Sequence, residues 1–254
     1  MSVNRVLTGV WAVLALGSVA AAEVVSITSS KDNSLIQNAT GDLSNGAGSG
    51  LFVGNTHQSG DNIRRAVIAF DIAAAIPQGS TITNVNVTLT CNRARGGAIT
   101  VGLFPMLANW GEGTSDSGQF GGSGTDSRTN DATWIHAFYA FPGGTLWQNE
   151  GGDFNPVANA TKSVSGTAAY SWNSNASMVA LVQQWLDAPT QNFGWMIKSL
   201  NENGSQNAKR FATKEERVVS ARPRLTIEYT IPGPGAITAF GVAVIFGRGR
   251  RSRG

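Results

Sequence analysis

The stretch Val85-Asn86-Val87-Thr88-Leu89-Thr90-Cys91 alternates apolar and polar side chains. Successive side chains of a strand point to opposite faces of the sheet, so this period of two is typical of a half-buried antiparallel strand. The same alternation recurs near the carboxyl end, in Leu225-Thr226-Ile227-Glu228-Tyr229. The single cysteine, Cys91, falls on the apolar face. We therefore expect a buried thiol and no internal disulfide.

Nine strand-like runs are separated by clusters of glycine, asparagine, aspartate and serine, which supply turns. The runs cover residues 24–28, 51–54, 65–72, 81–91, 99–105, 168–172, 193–199, 208–213 and 223–230. This number and spacing predict an all-β fold, an antiparallel β-sandwich of jelly-roll-like form. The glycine-rich region 111–152 is predicted to be a long, irregular excursion over the surface.

One segment has a helical period instead. Residues 177–187 place five apolar side chains on one face, with Ser177 or Asn175 as the cap and Pro189 beyond the end. These side chains are Met178, Leu181, Val182, Trp185 and Leu186. The pattern predicts one short amphipathic helix that closes an end of the sandwich.

Both ends of the chain have the pattern of targeting segments. Residues 1–22 carry Arg5, then an apolar run of about 14 residues, shorter than the roughly 20 that span a bilayer, then three alanines. This order predicts a cleaved signal peptide, with a membrane anchor as the alternative. Residues 232–254 carry a Pro-Gly-Pro break, an apolar segment and four arginines, which resembles a PEP-CTERM sorting signal with Pro-Gly-Pro in place of Pro-Glu-Pro. The alternative there is a disordered basic tail. The predicted domain is then 23–231, exported to the cell envelope or beyond.

The net charge of +3 comes from these segments. Setting aside Arg5 and the four tail arginines leaves 14 of the 19 basic residues against 16 acidic residues. A domain that is slightly acidic lacks the basic character of a nucleic-acid-binding protein. We therefore expect no nucleic-acid partner.

A set of motifs, taken in order, resembles the DNRLRE-domain exported bacterial proteins over about residues 31–230. The motifs are Lys31-Asp32-Asn33-Ser34-Leu35, Leu51-Phe52-Val53-Gly54, Arg64-Arg65-Ala66-Val67-Ile68-Ala69-Phe70-Asp71-Ile72, Ile76-Pro77-Gln78-Gly79-Ser80-Thr81-Ile82, Trp110-Gly111-Glu112-Gly113, Asp131-Ala132-Thr133-Trp134, Gly151-Gly152-Asp153-Phe154, Trp185-Leu186-Asp187, Asn192-Phe193-Gly194-Trp195, Lys209-Arg210-Phe211 and Arg222-Pro223-Arg224-Leu225. That family is similar to jelly-roll carbohydrate-binding modules, some of which bind alginate. The resemblance implies binding or a structural role rather than catalysis.

Three tryptophans are candidates for stacking on sugar rings, namely Trp134 and Trp147 in the excursion and Trp110 at its start. Exposed indoles in a loop would be available to a ligand. The alternative is that they anchor the loop to the sandwich, because aromatic rings bury a large area.

An acidic, alginate-like polysaccharide would need cations on the binding face. The best candidates are Arg65, Lys209 and Arg210, because guanidinium pairs bidentately with carboxylate. Adjacent strand residues point to opposite faces, so only one residue of the pairs 64–65 and 209–210 can line a given groove. Structural ion pairs, with Glu215 or Glu216 as partners, are the alternative.

Calcium is a possible cofactor, since it takes six to eight oxygen ligands from carboxylates, carbonyls and water. The candidate ligands are Asp32, Asn33, Glu112, Asp131 and Asp153. Their spacing is not that of an EF-hand. Asp and Asn in glycine-rich turns also stabilise the turn itself, which is the alternative.

No catalytic constellation stands out. His57 and His136 lie in different loops, and no Gly-x-Ser-x-Gly motif is present. Glu112 with Asp131 or Asp153 could form a glycosidase pair, and Tyr139 or His136 could be the base of a lyase, but no motif selects them. We expect a non-catalytic, exported domain that binds polysaccharide in the extracellular matrix. A structural or adhesive domain with a protein partner is the alternative, followed by a carbohydrate-active enzyme.

Overall fold

The computed structural model describes residues 22–232, apart from residues 59, 119, 120 and 205. The predicted signal peptide and sorting segment, except for their boundary residues 22 and 232, lie outside the described residues. The strands are β1 (Ala22–Thr28), β2 (Lys31–Ile36), β3 (Leu43–Ser44), β4 (Gly50–Asn55), β5 (Ile63–Ala69), β6 (Thr81–Ala94), β7 (Ile99–Pro105), β8 (Thr125–Asp126), β9 (His136–Tyr139), β10 (Gly144–Leu146), β11 (Ala160–Val164), β12 (Ala168–Trp172), β13 (Trp195–Ser199), β14 (Lys209–Ala212) and β15 (Arg224–Thr230). The helix α1 spans Ala176–Asp187, and 3₁₀ turns span Pro189–Gln191 and Val219–Ala221.

Eleven strands form one antiparallel sheet that curls until its two halves face each other. The order is β1-β15-β6-β14-β4-β5-β13-β7-β11, with β12 also paired to β6 and β2 also paired to β5. We call β1, β15, β6, β12 and β14 the front sheet, and β2, β5, β13, β7 and β11 the back sheet. Strand β4 joins them, because Gly50–Val53 pair with β14 whereas Gly54 and Asn55 pair with β5. Two small sheets, β3-β8 and β9-β10, lie apart from this large one.

The main core lies between the front and back sheets and is capped by α1. Val87 of β6 is fully buried there and pairs with Leu225 on one side and Trp172 on the other. The buried helix residues are Met178, Val182, Trp185 and Leu186. Asn175 caps the helix, since its side chain accepts a hydrogen bond from the Met178 N–H at 3.0 Å. The predicted β-sandwich with one short amphipathic helix is confirmed, as is the burial of Cys91.

The back sheet is buried on both faces. In β5, Ala66 and Ile68 belong to the main core, whereas Val67 and Ala69 face a second core on the opposite side. The second core is closed by residues 106–158, including three buried tryptophans. Its main members are Leu35, Val67, Phe104, Met106, Trp110, Ala132, Trp134, Ala137, Trp147 and Met196. Region 111–152 is therefore an irregular third layer with its own core, which corrects the expectation of an excursion over the surface.

Among the described residues, no helix combines the length and apolar character that crossing a bilayer requires.

Candidate functional site

The three candidate tryptophans are buried in the second core. Trp110 is 1% exposed, and its Nε1–H donates to the Phe193 carbonyl at 2.9 Å. Trp147 is 6% exposed and donates in the same way to the Thr133 carbonyl at 2.9 Å. Trp134 is 6% exposed, and the Arg65 guanidinium covers its ring at 4.8 Å from the centroid. None of these rings offers a face to a sugar in this structure, so the expectation of exposed stacking platforms is corrected and the anchoring alternative describes them.

Arg65 is engaged in holding the third layer to β5. Its Nε and one terminal nitrogen donate to the two carboxylate oxygens of Glu202, each at 2.8 Å, and the other donates to the Gly151 carbonyl at 2.8 Å. Lys198 lies 3.4 Å from the same carboxylate. The ion-pair alternative describes Arg65, with Glu202 as the partner rather than Glu215 or Glu216.

Lys209 points into the protein. Its ammonium group donates to three backbone carbonyls, of Arg95 at 2.6 Å, Gly97 at 2.8 Å and Asn207 at 3.1 Å. The side chain is fully buried, and this burial lowers its pKa. Lys209 therefore shapes the turn at residues 95–97 and is not free to contact a ligand.

Arg210, the next residue, points to the opposite side of β14 and lies on the outer surface. It pairs across the sheet with Phe52 of β4 and Arg93 of β6, so the three side chains form a row on one face. Its guanidinium donates to the Asn92 side chain at 2.7 Å and to the Ser49 carbonyl at 2.8 Å. Two of the predicted sugar-binding cations, Lys209 and Arg210, line one surface cavity, and of these Arg210 is the one whose side chain is partly exposed.

This cavity, which we call the arginine cavity, has a volume of about 430 Å³. Its lining residues include Phe52, His57, Arg93, Arg95, Lys209 and Arg210. No Asp or Glu is among the described residues that line it. Burial lowers the pKa of Arg210, the nearby Glu216 carboxylate opposes this shift, and the nearby Arg93 guanidinium adds to it. A cavity whose described lining has three arginines and no carboxylate favours an anionic ligand.

The wall of the arginine cavity is held by Arg64, which is 1% exposed. Its guanidinium donates to the Gly122 carbonyl at 2.6 Å and to the Gln58 side chain, and so ties two loops together. It also donates to the Asp61 and Ile63 carbonyls. Burial lowers the pKa of Arg64 to about 10, and the group stays charged at neutral pH.

Two of the five predicted calcium ligands stabilise turns. The Asp131 carboxylate accepts the Arg128 N–H at 2.7 Å, and burial raises its pKa. The Asp153 carboxylate accepts the N–H groups of Gln148 and Asn149, each at 2.9 Å. These contacts agree with the alternative that the carboxylates serve the turns.

Asn33 joins separate segments by hydrogen bonds. Its amide nitrogen donates to the Ser44 hydroxyl at 2.9 Å and to the Glu112 and Ala132 carbonyls at 2.9 Å and 3.2 Å. Its amide oxygen accepts the Asn45 N–H at 3.2 Å.

Asp32 and Glu112 belong to a cluster around Lys214. The Lys214 ammonium lies 3.1 Å from a Glu112 oxygen and 2.7 Å from a Glu215 oxygen. Asp32 is fully buried, and this burial, reinforced by Glu215, raises its pKa to about 8. Burial also raises the pKa of Glu112. In this arrangement the Lys214 ammonium pairs with the carboxylates of Glu112 and Glu215.

Across the described residues, no group of three or more His, Cys, Asp or Glu side chains is arranged to hold a metal ion. His136 is held by Thr133, whose hydroxyl lies 3.1 Å from Nδ1, whereas His57 is exposed at the arginine cavity.

The sequence argument missed Arg93 and Arg95. A signal was present, because the two residues are two positions apart just after the alternating run that defines β6, and such residues share a face of an extended chain. Arg210 joins these two arginines because β14 pairs with β6, and the paired residues are 115 or more positions apart in the chain. The sequence pattern around Arg93 and Arg95 does not indicate that pairing.

No protein-family model matches the chain. No curated protein matches it either.

Proposed function

We propose that this protein is a non-catalytic, exported domain that binds acidic polysaccharide in the arginine cavity. The observation that carries the proposal is the presence of Arg93, Arg95 and Arg210 in one cavity without a carboxylate among its described lining residues. Guanidinium groups bind carboxylates bidentately, as a uronate requires. The resemblance to DNRLRE-domain proteins and the PEP-CTERM-like end support a place in the cell envelope or extracellular matrix.

The geometry favours this function over a structural or adhesive domain with a protein partner. Buried tryptophans fit both functions, since they stabilise the third layer in either case. The arginine cavity favours the first function, because its positive charge suits an acidic ligand. In addition, Asn92 and Ser49 already orient the Arg210 side chain, so that ordering it costs little when a ligand binds. A carbohydrate-active enzyme is the third possibility, and product release from a glycan panel would reveal it.

The test is binding of alginate and polygalacturonate, measured by calorimetry at low and high salt, with dextran as the neutral polymer. We expect binding of the acidic polymers alone, weakening as salt screens the charges. Removing one charged hydrogen-bond donor costs about 1.5–3 kcal/mol, so Arg210→Ala should weaken binding by about tenfold or more. Arg95→Ala should weaken it less, because that side chain is more exposed.

Arg224→Ala is the matched control. Arg224 is an exposed arginine of the front sheet outside the cavity, so this change removes the same charge and should leave affinity unchanged. Failure of every acidic polymer to bind the folded protein, or equal losses in Arg224→Ala and Arg210→Ala, would contradict the proposal.

A further inference from the structure

The arginine cavity continues into two neighbouring cavities. One, of about 300 Å³, shares His57 and Arg95 with it as a common wall. The other, of about 780 Å³, shares Arg93 and Arg210. The three cavities therefore lie side by side, with arginines on the walls that they share, and we call them together the groove. A ligand that occupied more than one of these cavities would be an internal segment of a polymer rather than its terminal sugar.

The largest cavity has a different charge from the other two. Its lining includes the carboxylates of Asp116, Glu215 and Glu216, in addition to Arg93, Arg210 and Arg217. We call it the mixed cavity. Positive and negative groups are equal in number there, whereas the described lining of the other two cavities contains no carboxylate.

The carboxylates of the mixed cavity are held in place. Asp116 is exposed and accepts the Gly118 N–H at 2.8 Å. Glu216 accepts the Val218 N–H at 3.3 Å and, more weakly, the Asn92 amide at 3.4 Å. Glu215 is paired with Lys214 at 2.7 Å. A second uronate beside the first would bring its negative charge against Asp116 and Glu216. A neutral sugar would instead offer hydroxyl groups that these carboxylates can accept.

The boundary between the two kinds of cavity is fixed by Arg210. Its side chain lies across Gly50, where an added Cβ would come within 2.4 Å of Nε. The hydrogen bonds to Asn92 and Ser49 set the position of the guanidinium, and the lack of a Cβ at Gly50 leaves room for the side chain. The fixed guanidinium of Arg210 therefore defines how far a ligand carboxylate bound to it would lie from the mixed cavity.

We infer that the preferred ligand is a polymer in which a uronate is followed by a neutral sugar, rather than a homopolymer of uronates. The inference rests on the proposed function, since it assigns the uronate to the arginine cavity and the neutral sugar to the mixed cavity. Recognition depends on the order of charged and neutral sugars along the polysaccharide and not only on its total negative charge.

The test compares two soluble oligosaccharides of similar length, an oligogalacturonate and an alternating galacturonate–rhamnose oligosaccharide, by calorimetry with the full chain. We expect the alternating oligosaccharide to bind more tightly, although it carries half the charge. Asp116→Asn keeps the oxygen that accepts the Gly118 N–H and removes the negative charge. It should raise affinity for the oligogalacturonate by about threefold to tenfold and change that for the alternating one by less than about twofold.

Asp126→Asn, a change of the same charge at an exposed position of β8 outside the groove, is the matched control and should have no effect. Glu216→Gln should act in the same direction as Asp116→Asn. Tighter binding of the oligogalacturonate to the unmodified protein, with no gain in Asp116→Asn, would overturn the inference and leave the proposed function standing. Binding of neither oligosaccharide would overturn both.

Discussion

Trp110→Ala tests whether the indoles serve the second core or a ligand. The ring is 1% exposed, lies beneath the Lys31 ammonium at 4.2 Å from its centroid and donates to the Phe193 carbonyl. Truncating a buried tryptophan costs about 3–5 kcal/mol, and leaving a carbonyl without its partner adds about 1 kcal/mol. In a domain of this size each kcal/mol lowers Tm by about 2–4 °C, so the expected decrease is about 8–24 °C.

Thermal unfolding followed by circular dichroism is the assay, and polyuronate binding is measured on the same samples well below the transition. Trp110→Phe keeps most of the packing and loses the hydrogen bond, so its Tm should fall by about 3–8 °C. Phe141→Ala, in the same layer but 88% exposed, should leave Tm unchanged. All three variants should retain polyuronate binding. A decrease of less than about 3 °C in Trp110→Ala, or loss of binding in a variant that is still folded, would refute the structural role.

The remaining predictions concern a proton and a helix cap. Asp32 has a pKa of about 8 in the folded protein against 3.8 for an ordinary aspartate, so the folded protein binds this proton more tightly than the unfolded chain does. The stability that the proton contributes is fully present below about pH 4 and is lost as pH rises towards 8. Asp32→Asn should therefore flatten the pH dependence of Tm between pH 5 and pH 8, and an unchanged slope would show that Asp32 does not hold this proton. Asn175→Ala removes the acceptor for the Met178 N–H and should cost about 1 kcal/mol in urea unfolding. Asn175→Asp keeps the acceptor and should recover most of that loss, whereas equal losses would exclude the cap as the cause.

All nine strand-like runs of the sequence correspond to strands. They were predictable because most belong to sheets with a regular pattern of burial, as in β6 and β15, where apolar and polar residues alternate. Strand β2 was not among them, since Asp32, Asn33 and Ser34 are polar and yet fully buried. Their burial depends on partners such as Glu112 and Ala132, about 80 and 100 residues away, which no local pattern reveals.

The candidate site was predicted in part. Arg210 was a candidate and lies at the cavity, whereas Lys209 and Arg65, chosen by the same argument, are occupied within the protein. Composition could not show which of two adjacent cations points outwards, because that depends on which face of β14 is covered. The glycine-rich sequence of region 111–152 suggested a loose surface loop. Its glycines instead permit close contacts, as at Gly113, where an added Cβ would lie 1.5 Å from an Asp131 oxygen.

The pairing of β1 with β15 has a consequence for how the chain folds. Residue 22 lies opposite residue 230, and β4, β5 and β6 also find partners in β13, β14 and β15. Until residues 195–230 have been synthesised, the front and back sheets lack strands and part of the apolar surface of the early strands stays uncovered. Contacts so distant in sequence are typical of proteins that fold slowly. During synthesis, the front and back sheets cannot be completed before the carboxyl-terminal strands have been made.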